Sequence, residues 1–176
     1  MKLISYYKKI KDTRFTEIKK IICLKKQHWP FAYQQQYIWW KRFSKIDDEF
    51  LFFKYDKKIV SFLRLKKTKV LVDNNLRNFR CITEVCVDKK FSKKGLGKAM
   101  INLAINILKI KSVSGFLLCY KNQKEFYEKC KLISFKNIYV KSSNTSKEKK
   151  MANKRNFYFL NFKNKIKKIT LFGENF

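Results

Sequence analysis

A glycine-containing segment between an apolar run and an amphipathic run is the first candidate site in the chain. The apolar run ends at Val87, and residues 92–98 read Ser-Lys-Lys-Gly-Leu-Gly-Lys. Glycines between a strand and a helix let backbone N–H groups approach a phosphate, and the helix dipole favours an anion there by about 0.3–2 kcal/mol. The segment lacks the Gly-Lys-Ser/Thr ending of a P-loop and the third glycine of the dinucleotide fingerprint. It therefore predicts an anion-binding loop of neither of these two kinds.

Carboxylates and the single histidine are the candidates for moving a proton. Glu84 lies in the apolar run before the loop and could accept a proton from a ligand, directly or through water. The alternative is a carboxylate on a sheet face that is solvated or paired with a lysine. Asp48 and Glu49 are rival bases, although acids that open a strand are commonly solvated. His28, the single histidine, could act as a base, but beside Trp29 a packed or surface role is the commoner outcome.

Aromatic residues are concentrated between positions 29 and 40. They are too many for one buried helix face, so either some of them line a pocket for an acceptor molecule or all of them pack in the core and in a lid. The residues concerned are Trp29, Tyr33, Tyr37, Trp39 and Trp40.

The elements that must position these residues alternate between strand-like and helix-like patterns. The chain predicts, in order, a strand at 2–9, a helix with Thr13 as N-cap, a helix at 32–43, and hairpins around the turns 55–58 and 73–75 whose last strand ends at Val87. It then predicts a helix at about 97–111, a strand at 114–120, a short helix capped by Asn122, strands near 134–140 and 156–162, and a polar loop at 141–154. This order is that of a mixed α/β sheet in one domain.

The net charge of +30 comes from 43 basic residues, most of them lysine, against 13 acidic ones. Clustered lysines attract polyanions, which favours nucleic-acid binding. The accompanying abundance of Ile, Phe, Asn and Tyr is also what A/T-rich coding produces without a partner. Any nucleic-acid binding is therefore predicted to be nonspecific.

Cysteine usage and hydropathy bound the compartment. The five cysteines form no Cys-x-x-Cys pair, and the N-terminus lacks the apolar segment of a signal peptide, so a reducing, cytoplasmic location is predicted. Cys86 and Cys119 lie in apolar runs and are predicted to be inert buried thiols. No apolar segment approaches the roughly 20 residues of a membrane-spanning helix. Neither membrane association nor a metal site is predicted.

Two motifs frame the glycine segment. The first is Val85-Cys86-Val87 followed by Ser92-Lys93-Lys94-Gly95-Leu96-Gly97, and the second, in residues 117–135, places Asn122 five residues before Tyr127. Together they resemble the acetyl-CoA loop and the following strand and helix of the GNAT superfamily of N-acetyltransferases. Ser92 stands where that family usually has Gln or Arg, and Lys131 stands in place of a glycine.

The resemblance implies a single N-acetyltransferase domain over residues 1–176, with an acetyl-CoA site within 81–135. It implies an α/β (α+β) fold with a mixed, mostly antiparallel twisted sheet of about seven strands flanked by about four helices. The cofactor-binding residues that it implies are Val85, Cys86, Val87, Ser92, Lys93, Lys94, Gly95, Leu96, Gly97, Lys98, Asn122 and Tyr127.

The resemblance also implies catalytic roles. Tyr127 would stand beside the CoA sulfur and protonate the leaving thiolate, with core packing of Phe126 and Tyr127 as the alternative. Glu84 is the candidate base. Acceptor-binding elements are expected at 25–50 and in the C-terminal strands, and the candidate acceptor-binding residues are His28, Trp29, Tyr33, Asp48, Glu49 and Glu84.

A narrower resemblance, in residues 27–40, 47–65, 84–87 and 169–176, is to a bacterial branch similar to aminoglycoside 2'-N-acetyltransferases. Such acceptors are polycations, and a strongly basic chain would repel them unless an acidic pocket dominates at short range. The acidic residues that could form such a pocket are Asp47, Asp48, Glu49, Asp73 and Glu84.

Three functions therefore compete. The first is direct transfer of an acetyl group to a small-molecule primary amine, such as an amino sugar. The second is acetylation of an amine on a protein or a nucleic acid, tRNA or ribosomal, held by the basic ends of the chain. The third is a non-catalytic basic binding module on the same fold. A homodimer is also left open.

Overall fold

The computed structural model describes residues 2–141, 148–151, 155–160 and 166–172. Within these residues the chain forms four α-helices and ten β-strands. The helices are α1 Phe15–Lys26, α2 Tyr33–Phe43, α3 Leu96–Ile110 and α4 Lys124–Lys129. The strands are β1 Leu3–Lys9, β2 Glu49–Tyr55, β3 Lys58–Val72, β4 Asn75–Val87, β5 Gly115–Tyr120, β6 Ile133–Phe135, β7 Ile138–Lys141, β8 Glu148–Lys150, β9 Arg155–Leu160 and β10 Ile169–Phe172.

The predicted α/β class with a mixed sheet and four helices is confirmed, but the strand count of about seven is too low. The single strand expected near 134–140 is two strands, β6 and β7, because the chain leaves the first ladder after Phe135. Strand β8 lies within the segment that was predicted to be a polar loop. The loop residues between Lys141 and β8, and those after Met151, lie outside the described part of the chain. Residues 142–147 and 152–154 include Lys147 and Lys154 of that loop.

Two predicted helix caps are wrong. Thr13 donates its hydroxyl to the Lys9 carbonyl at 2.9 Å and lies one residue before the N-cap position of α1. The residue in the N-cap position is Arg14, whose N–H donates to the Glu17 carboxylate at 3.2 Å. Asn122 lies inside a 3-10 turn that precedes α4, and so it does not cap that helix.

The chain divides into two units, each with its own core. The first unit comprises Met1–Lys66 and Ile82–Ala104. In it, β1 pairs antiparallel with β2, and β2 pairs antiparallel with the first part of β3. Its core contains Ile21, Leu24, Phe50, Phe52, Ile59, Phe62 and Cys86. Helix α1 buries the Ile21 side of its surface, as the helical spacing predicted.

The second unit comprises Lys67–Cys81 and Ile105–Phe176. Strand β9 pairs antiparallel with both β5 and β6. Strand β10 pairs antiparallel with β3 and parallel with β7, which makes the sheet mixed. Its core contains Val70, Val72, Phe79, Cys81, Phe116, Ile138, Phe157, Ile169 and Leu171. No described helix is both long and apolar enough to cross a membrane.

Both predicted hairpin turns are confirmed, and their backbone explains their composition. Asp56 and Lys57 have φ values of 46° and 64°, and Asp73 and Asn74 have 46° and 68°. Two consecutive positive φ values define the type I′ turn, whose twist matches that of the flanking strands and which favours Asn and Asp. Asp73 also accepts the Lys168 N–H at 2.7 Å, so its carboxylate serves the backbone of the second unit.

Acid is expected to weaken the first unit through Glu17. Lys54 and Lys8 donate to its carboxylate at 2.6 and 3.0 Å. Burial by itself raises the pKa of this carboxyl, but the hydrogen bonds from Lys54, Lys8 and the Arg14 N–H outweigh it and lower the pKa from 4.5 to about 2. The folded pKa is below the unfolded one, so this stabilisation is complete above pH about 4.5 and is lost as the pH falls towards 2.

Urea unfolding of Glu17→Gln at neutral pH and at roughly pH 3 measures this contribution. The wild type should be clearly more stable than the variant at neutral pH, and the difference should shrink in acid. Glu125→Gln is the matched control, because Glu125 forms only an exposed pair with Lys129. A difference between wild type and Glu17→Gln that stays constant with pH would contradict the role of this carboxylate.

Candidate functional site

Four charged side chains are buried together in the first unit. The Arg64 guanidinium pairs with Asp48, to which its Nε donates at 3.0 Å, and its Nη2 donates to the Phe43 carbonyl at 2.6 Å. Arg64 Nη1 lies 3.5 Å from Glu84 Oε1, and Lys25 Nζ lies 3.1 Å from Glu84 Oε2. None of the four charged side chains is more than 9% exposed. Charges buried this deeply are tolerated only when they are paired, so the four depend on one another.

The sequence places these charges at positions where apolar residues are expected. Lys25 follows Ile21 by four residues, so it lies on the apolar face of α1. Arg64 interrupts the apolar run from Ile59 to Leu65 in β3. Asp48 immediately precedes β2 and is fully buried. A charge inside an apolar pattern is the signal that would have identified Lys25 and Arg64 from the sequence.

Glu84 has an unusual backbone conformation. Its φ is 58°, in the left-handed region, which residues other than glycine adopt at a cost of about 1–2 kcal/mol. Such strain persists when surrounding contacts determine the geometry, and it occurs often at functional sites. In β4 the ion pairs of Glu84 with Lys25 and Arg64 supply such contacts.

A cavity of about 550 Å³ opens beside Glu84 in the first unit. That volume is within the usual range for small-molecule sites. Its surface is mainly apolar, and Glu84 and Lys25 are its charged residues. The lining residues are Lys25, Trp29, Phe31, Gln35, Gln36, Trp39 and Glu84.

The Gln36 side chain is held in one orientation in the wall of this cavity. Its Nε2 donates to the Trp29 carbonyl at 2.6 Å and lies 3.5 Å from the Phe31 carbonyl. Because two carbonyls can only accept, the amide nitrogen must face them and the amide oxygen must face away. Gln36 is 5% exposed, and its Oε1 has no hydrogen-bond partner among the described residues. A buried carbonyl oxygen without a donor costs about 1–3 kcal/mol, so it favours a ligand that supplies one.

The glycine segment forms the predicted turn into a helix. Gly95 has a φ of 78°, and no heavy atom lies within 4 Å of the position that a Cβ would occupy. The Ala99 N–H donates to the carbonyl of Gly95, the residue before α3, at 3.0 Å. The N–H groups of Leu96, Gly97 and Lys98 precede it and therefore lack an intrahelical acceptor. These donors and the open space fit an anionic group at the start of α3.

The C-terminal end of α1 holds the residues that lead into this loop. Gln27 donates to Asp88 at 3.3 Å and accepts the Lys89 N–H at 2.9 Å. The exposed His28 donates from Nε2 to the Val87 carbonyl at 2.7 Å. His28 therefore carries its proton on Nε2, and it positions the end of β4.

Tyr127 lies in the second unit and is 7% exposed. Burial, together with the nearby Cys119, Cys130 and Tyr158, raises the pKa of its phenol above the ordinary value of 10.0. Its ring centroid lies 5.9 Å from that of Tyr158, whose hydroxyl donates to the Lys124 carbonyl at 3.4 Å. Tyr127 consequently keeps its proton at neutral pH.

Residues 14–131 match the Acetyltransferase (GNAT) family, and this match covers more than half of the chain. The chain belongs to this family. It is therefore an acyltransferase of a family whose members take the acyl group from acetyl-CoA. No curated protein sequence matches the chain significantly.

Solved structures of other proteins share this GNAT fold at low identity. ElaA of Escherichia coli has a TM-score of 0.64 and 10% identity, covering 90% of this chain and 99% of that chain. PaiA N-acetyltransferase of Thermoplasma acidophilum in complex with coenzyme A has a TM-score of 0.61 and 13% identity, covering 92% and 100%. An aminoglycoside acetyltransferase from an uncultured soil metagenomic sample, in complex with trehalose, has a TM-score of 0.59 and 17% identity, covering 73% and 87%.

Some of the candidate acceptor-binding residues line the described cavity, and others do not. Glu84 and Trp29 line the cavity, whereas Tyr33 stacks on Tyr37 at 6.4 Å and is not among the lining residues described above. The solvated alternative for Asp48 and Glu49 is wrong, because they are 0% and 1% exposed. For Glu84 the lysine-paired alternative describes the observed contact with Lys25.

One cofactor-loop side chain, Ser92, has a local hydrogen-bond partner, and two buried thiols are inert. Ser92, which stands where the GNAT motif usually has Gln or Arg, donates its hydroxyl to the Lys89 carbonyl at 2.9 Å. Cys86 is buried as predicted, and burial raises the pKa of its thiol, as does the negative charge of Glu84. Burial likewise raises the pKa of the Cys119 thiol. Neither thiol is therefore expected to be a nucleophile at neutral pH.

Proposed function

We propose that this GNAT protein transfers an acetyl group from acetyl-CoA directly to a primary amine of a small molecule. The observation that carries the proposal is the start of α3, where Gly95 opens space beside three backbone N–H groups that have no intrahelical acceptor. Lys93, Lys94 and Lys98 add positive charge to this loop. The donor set fits the pyrophosphate of CoA, which we place at residues 93–98.

The chemistry assigns one step to each candidate residue. Acetyl-CoA supplies a thioester whose acetyl carbon can accept an amine nitrogen. Backbone N–H groups around Val85–Val87 align the thioester and polarise its carbonyl. Glu84 removes a proton from the amine, directly or through water, and Tyr127 returns one to sulfur as the carbon–sulfur bond breaks and the carbon–nitrogen bond forms.

The acceptor site in this proposal is the cavity of the first unit. It lies within the segment expected to bind the acceptor, and Glu84 is part of its wall. An amine held there would donate to the Glu84 carboxylate, whose two oxygens are buried and make ion pairs but no well-formed hydrogen bond with the described residues.

An amino sugar or aminoglycoside is the acceptor that the narrower sequence resemblance favours. The structural similarity to an aminoglycoside acetyltransferase supports the fold alone. The acceptor is to be identified by experiment. Two of the acidic residues expected to attract a polycation bind elsewhere: Asp48 pairs with Arg64, and Asp73 accepts the Lys168 N–H. Of those acids only Glu84 lines the described cavity. A cytoplasmic location, nonspecific nucleic-acid binding and a homodimer stay predictions.

Gly97→Asp is expected to abolish most of the affinity for CoA while leaving the fold intact. Aspartate in the first turn of a helix is favourable for the helix, but its charge would repel the pyrophosphate. At the short distance involved, such repulsion corresponds to a loss of about tenfold or more. Calorimetry with CoA measures the affinity, and release of free thiol from acetyl-CoA with a pool of primary amines measures turnover.

Gly97→Asn is the matched control, since it adds a side chain of the same shape without the charge. It should lose less affinity than Gly97→Asp. Equal CoA affinity in wild type and Gly97→Asp would refute the assignment of residues 93–98. CoA binding without thiol release for any amine would refute the enzymatic proposal and favour the non-catalytic binding module.

A further inference from the structure

We infer that the acceptor is a primary monoamine carried on a flat apolar body, and that Gln36 and Trp39 select it. This inference rests on the proposed function, because it names the class of amine that the same cavity takes. It differs from the amino-sugar and aminoglycoside acceptors in requiring an apolar surface and a single cationic group.

The walls of the cavity are the first observation. Trp29, Phe31 and Trp39 contribute three aromatic side chains to it. Phe31 is 60% exposed and Trp39 is 47% exposed, although large aromatic side chains are on average well buried. An apolar ring placed against them removes this surface from water, whereas the hydroxyls around a sugar ring would find few hydrogen-bond partners in a mainly apolar lining.

The charge of the cavity is the second observation. Lys25 and Glu84 are the charged residues of the lining, and their charges cancel. Lys25 Nζ also lies 5.3 Å from the centre of the Trp39 ring. An additional cation near that ring would be repelled by the Lys25 ammonium group. Glu84 is already paired with Lys25 and Arg64. One amine can donate to Glu84, but a polycation finds no net negative charge.

Two buried acceptor groups without a well-formed hydrogen bond are the third observation. Gln36 Oε1 is buried without a hydrogen-bond partner among the described residues, and its orientation is fixed by the Trp29 and Phe31 carbonyls. The carboxylate oxygens of Glu84 are buried in the same wall without a well-formed hydrogen bond. A primary amine has enough N–H groups to donate to both residues. For this reason we infer a ligand with an amine group attached to an apolar body.

Calorimetry on the CoA-saturated protein tests the inference without requiring turnover. The ligands are 2-phenylethylamine, 2-phenylethanol, glucosamine, spermidine and kanamycin. We expect 2-phenylethylamine to bind at least about tenfold more tightly than each of the others. The alcohol shares its ring but lacks the amine, and the last three share the amine but lack the apolar body.

Three variants test the residues. Trp39→Ala should weaken 2-phenylethylamine binding about tenfold, since a stacked aromatic pair and its apolar contact are lost. Ile38→Ala is the matched control on the same helix: Ile38 is 64% exposed and does not line the described cavity, so affinity should stay unchanged. Gln36→Met keeps the side-chain length and removes the amide oxygen. It should therefore reduce the difference in affinity between 2-phenylethylamine and 2-phenylethanol.

The outcomes separate this inference from the proposed function. Tighter binding and faster acetylation of 2-phenylethylamine, weakened by Trp39→Ala and not by Ile38→Ala, support both. Acetylation of kanamycin or glucosamine in preference to 2-phenylethylamine overturns the inference and leaves the acetyltransferase proposal standing. Absence of CoA binding, or of thiol release with every amine, overturns the proposed function and with it the inference.

Discussion

Replacing Tyr127 with phenylalanine is expected to lower the turnover number by roughly 10²–10⁴-fold, the usual size of a general acid–base contribution. The change removes the hydroxyl and keeps the ring, so the packing of Tyr127 against Phe126 and Tyr158 should remain. CoA affinity should barely change. Thiol release at saturating acetyl-CoA and amine measures the effect.

The pH dependence sharpens this test. Burial raises the pKa of Tyr127 above 10.0, so the phenol is protonated throughout the neutral range, and the ratio of wild-type to variant turnover should stay constant there. Tyr158→Phe is the matched control, because burial raises the pKa of Tyr158 to about 12 and its hydroxyl donates to the Lys124 carbonyl. A decrease in turnover of less than about threefold in Tyr127→Phe, or an equal decrease in both variants, would contradict the catalytic role. Tyr127 would then serve only to pack the core.

The second large effect concerns stability. Arg64→Met is expected to lower the free energy of unfolding by about 3–5 kcal/mol, because it leaves the Asp48 carboxylate buried without its charged partner. The Phe43 carbonyl would also lose a donor. Urea unfolding at neutral pH measures the change.

Arg77→Met is the matched control, since Arg77 is exposed in β4 and the substitution is chemically the same. It should change stability by less than about 0.5 kcal/mol. The double variant Arg64→Met with Asp48→Leu removes both charges and should recover part of the loss. If Arg64→Met were as stable as Arg77→Met, the buried network would contribute nothing to the fold.

Much of the fold could be predicted because it is encoded in local patterns. The type I′ turns at 56–57 and 73–74 follow from the Asp and Asn preference of positive φ, and the apolar spacing of α1 follows from its buried face. Short strands were harder. Ile133–Phe135 and Glu148–Lys150 have three residues each, too few for an alternating pattern, and they are defined by pairing with β9 and β7.

The glycine loop before α3, which we propose to bind the pyrophosphate, was the part of the candidate site that the sequence predicted. Gly95 adopts a positive φ, which glycine does without steric cost, and so the residue type itself indicates the turn into α3. The loop's donors are backbone N–H groups, so their chemistry does not depend on which side chains surround them. For this reason the departure at Ser92 leaves the donor set in place.

The cavity that we propose for the acceptor depends on tertiary structure. The sequence alone indicated an aromatic cluster between 29 and 40, but it could not tell that Trp39 would face a cavity while Tyr33, Tyr37 and Trp40 stack on one another. Helical spacing places residues on a face, and only packing decides what that face meets. Lys25 and Arg64 were missed because their charges lie at positions that the pattern assigns to the core.

By itself, the sequence determined the α/β class, the glycine loop and the acetyltransferase family, because all three depend on contiguous residues or on backbone geometry. The tertiary structure alone decided that Asp48 and Glu84 are paired with Arg64 and Lys25, which are distant in the chain. Burial makes this pairing obligatory, since an isolated charge is not tolerated in the core, and burial is a property of the packed chain. In the proposed acceptor site, Asp48 pairs with Arg64 and does not line the cavity, and Gln36 and the aromatic walls are the residues that we infer to select the amine.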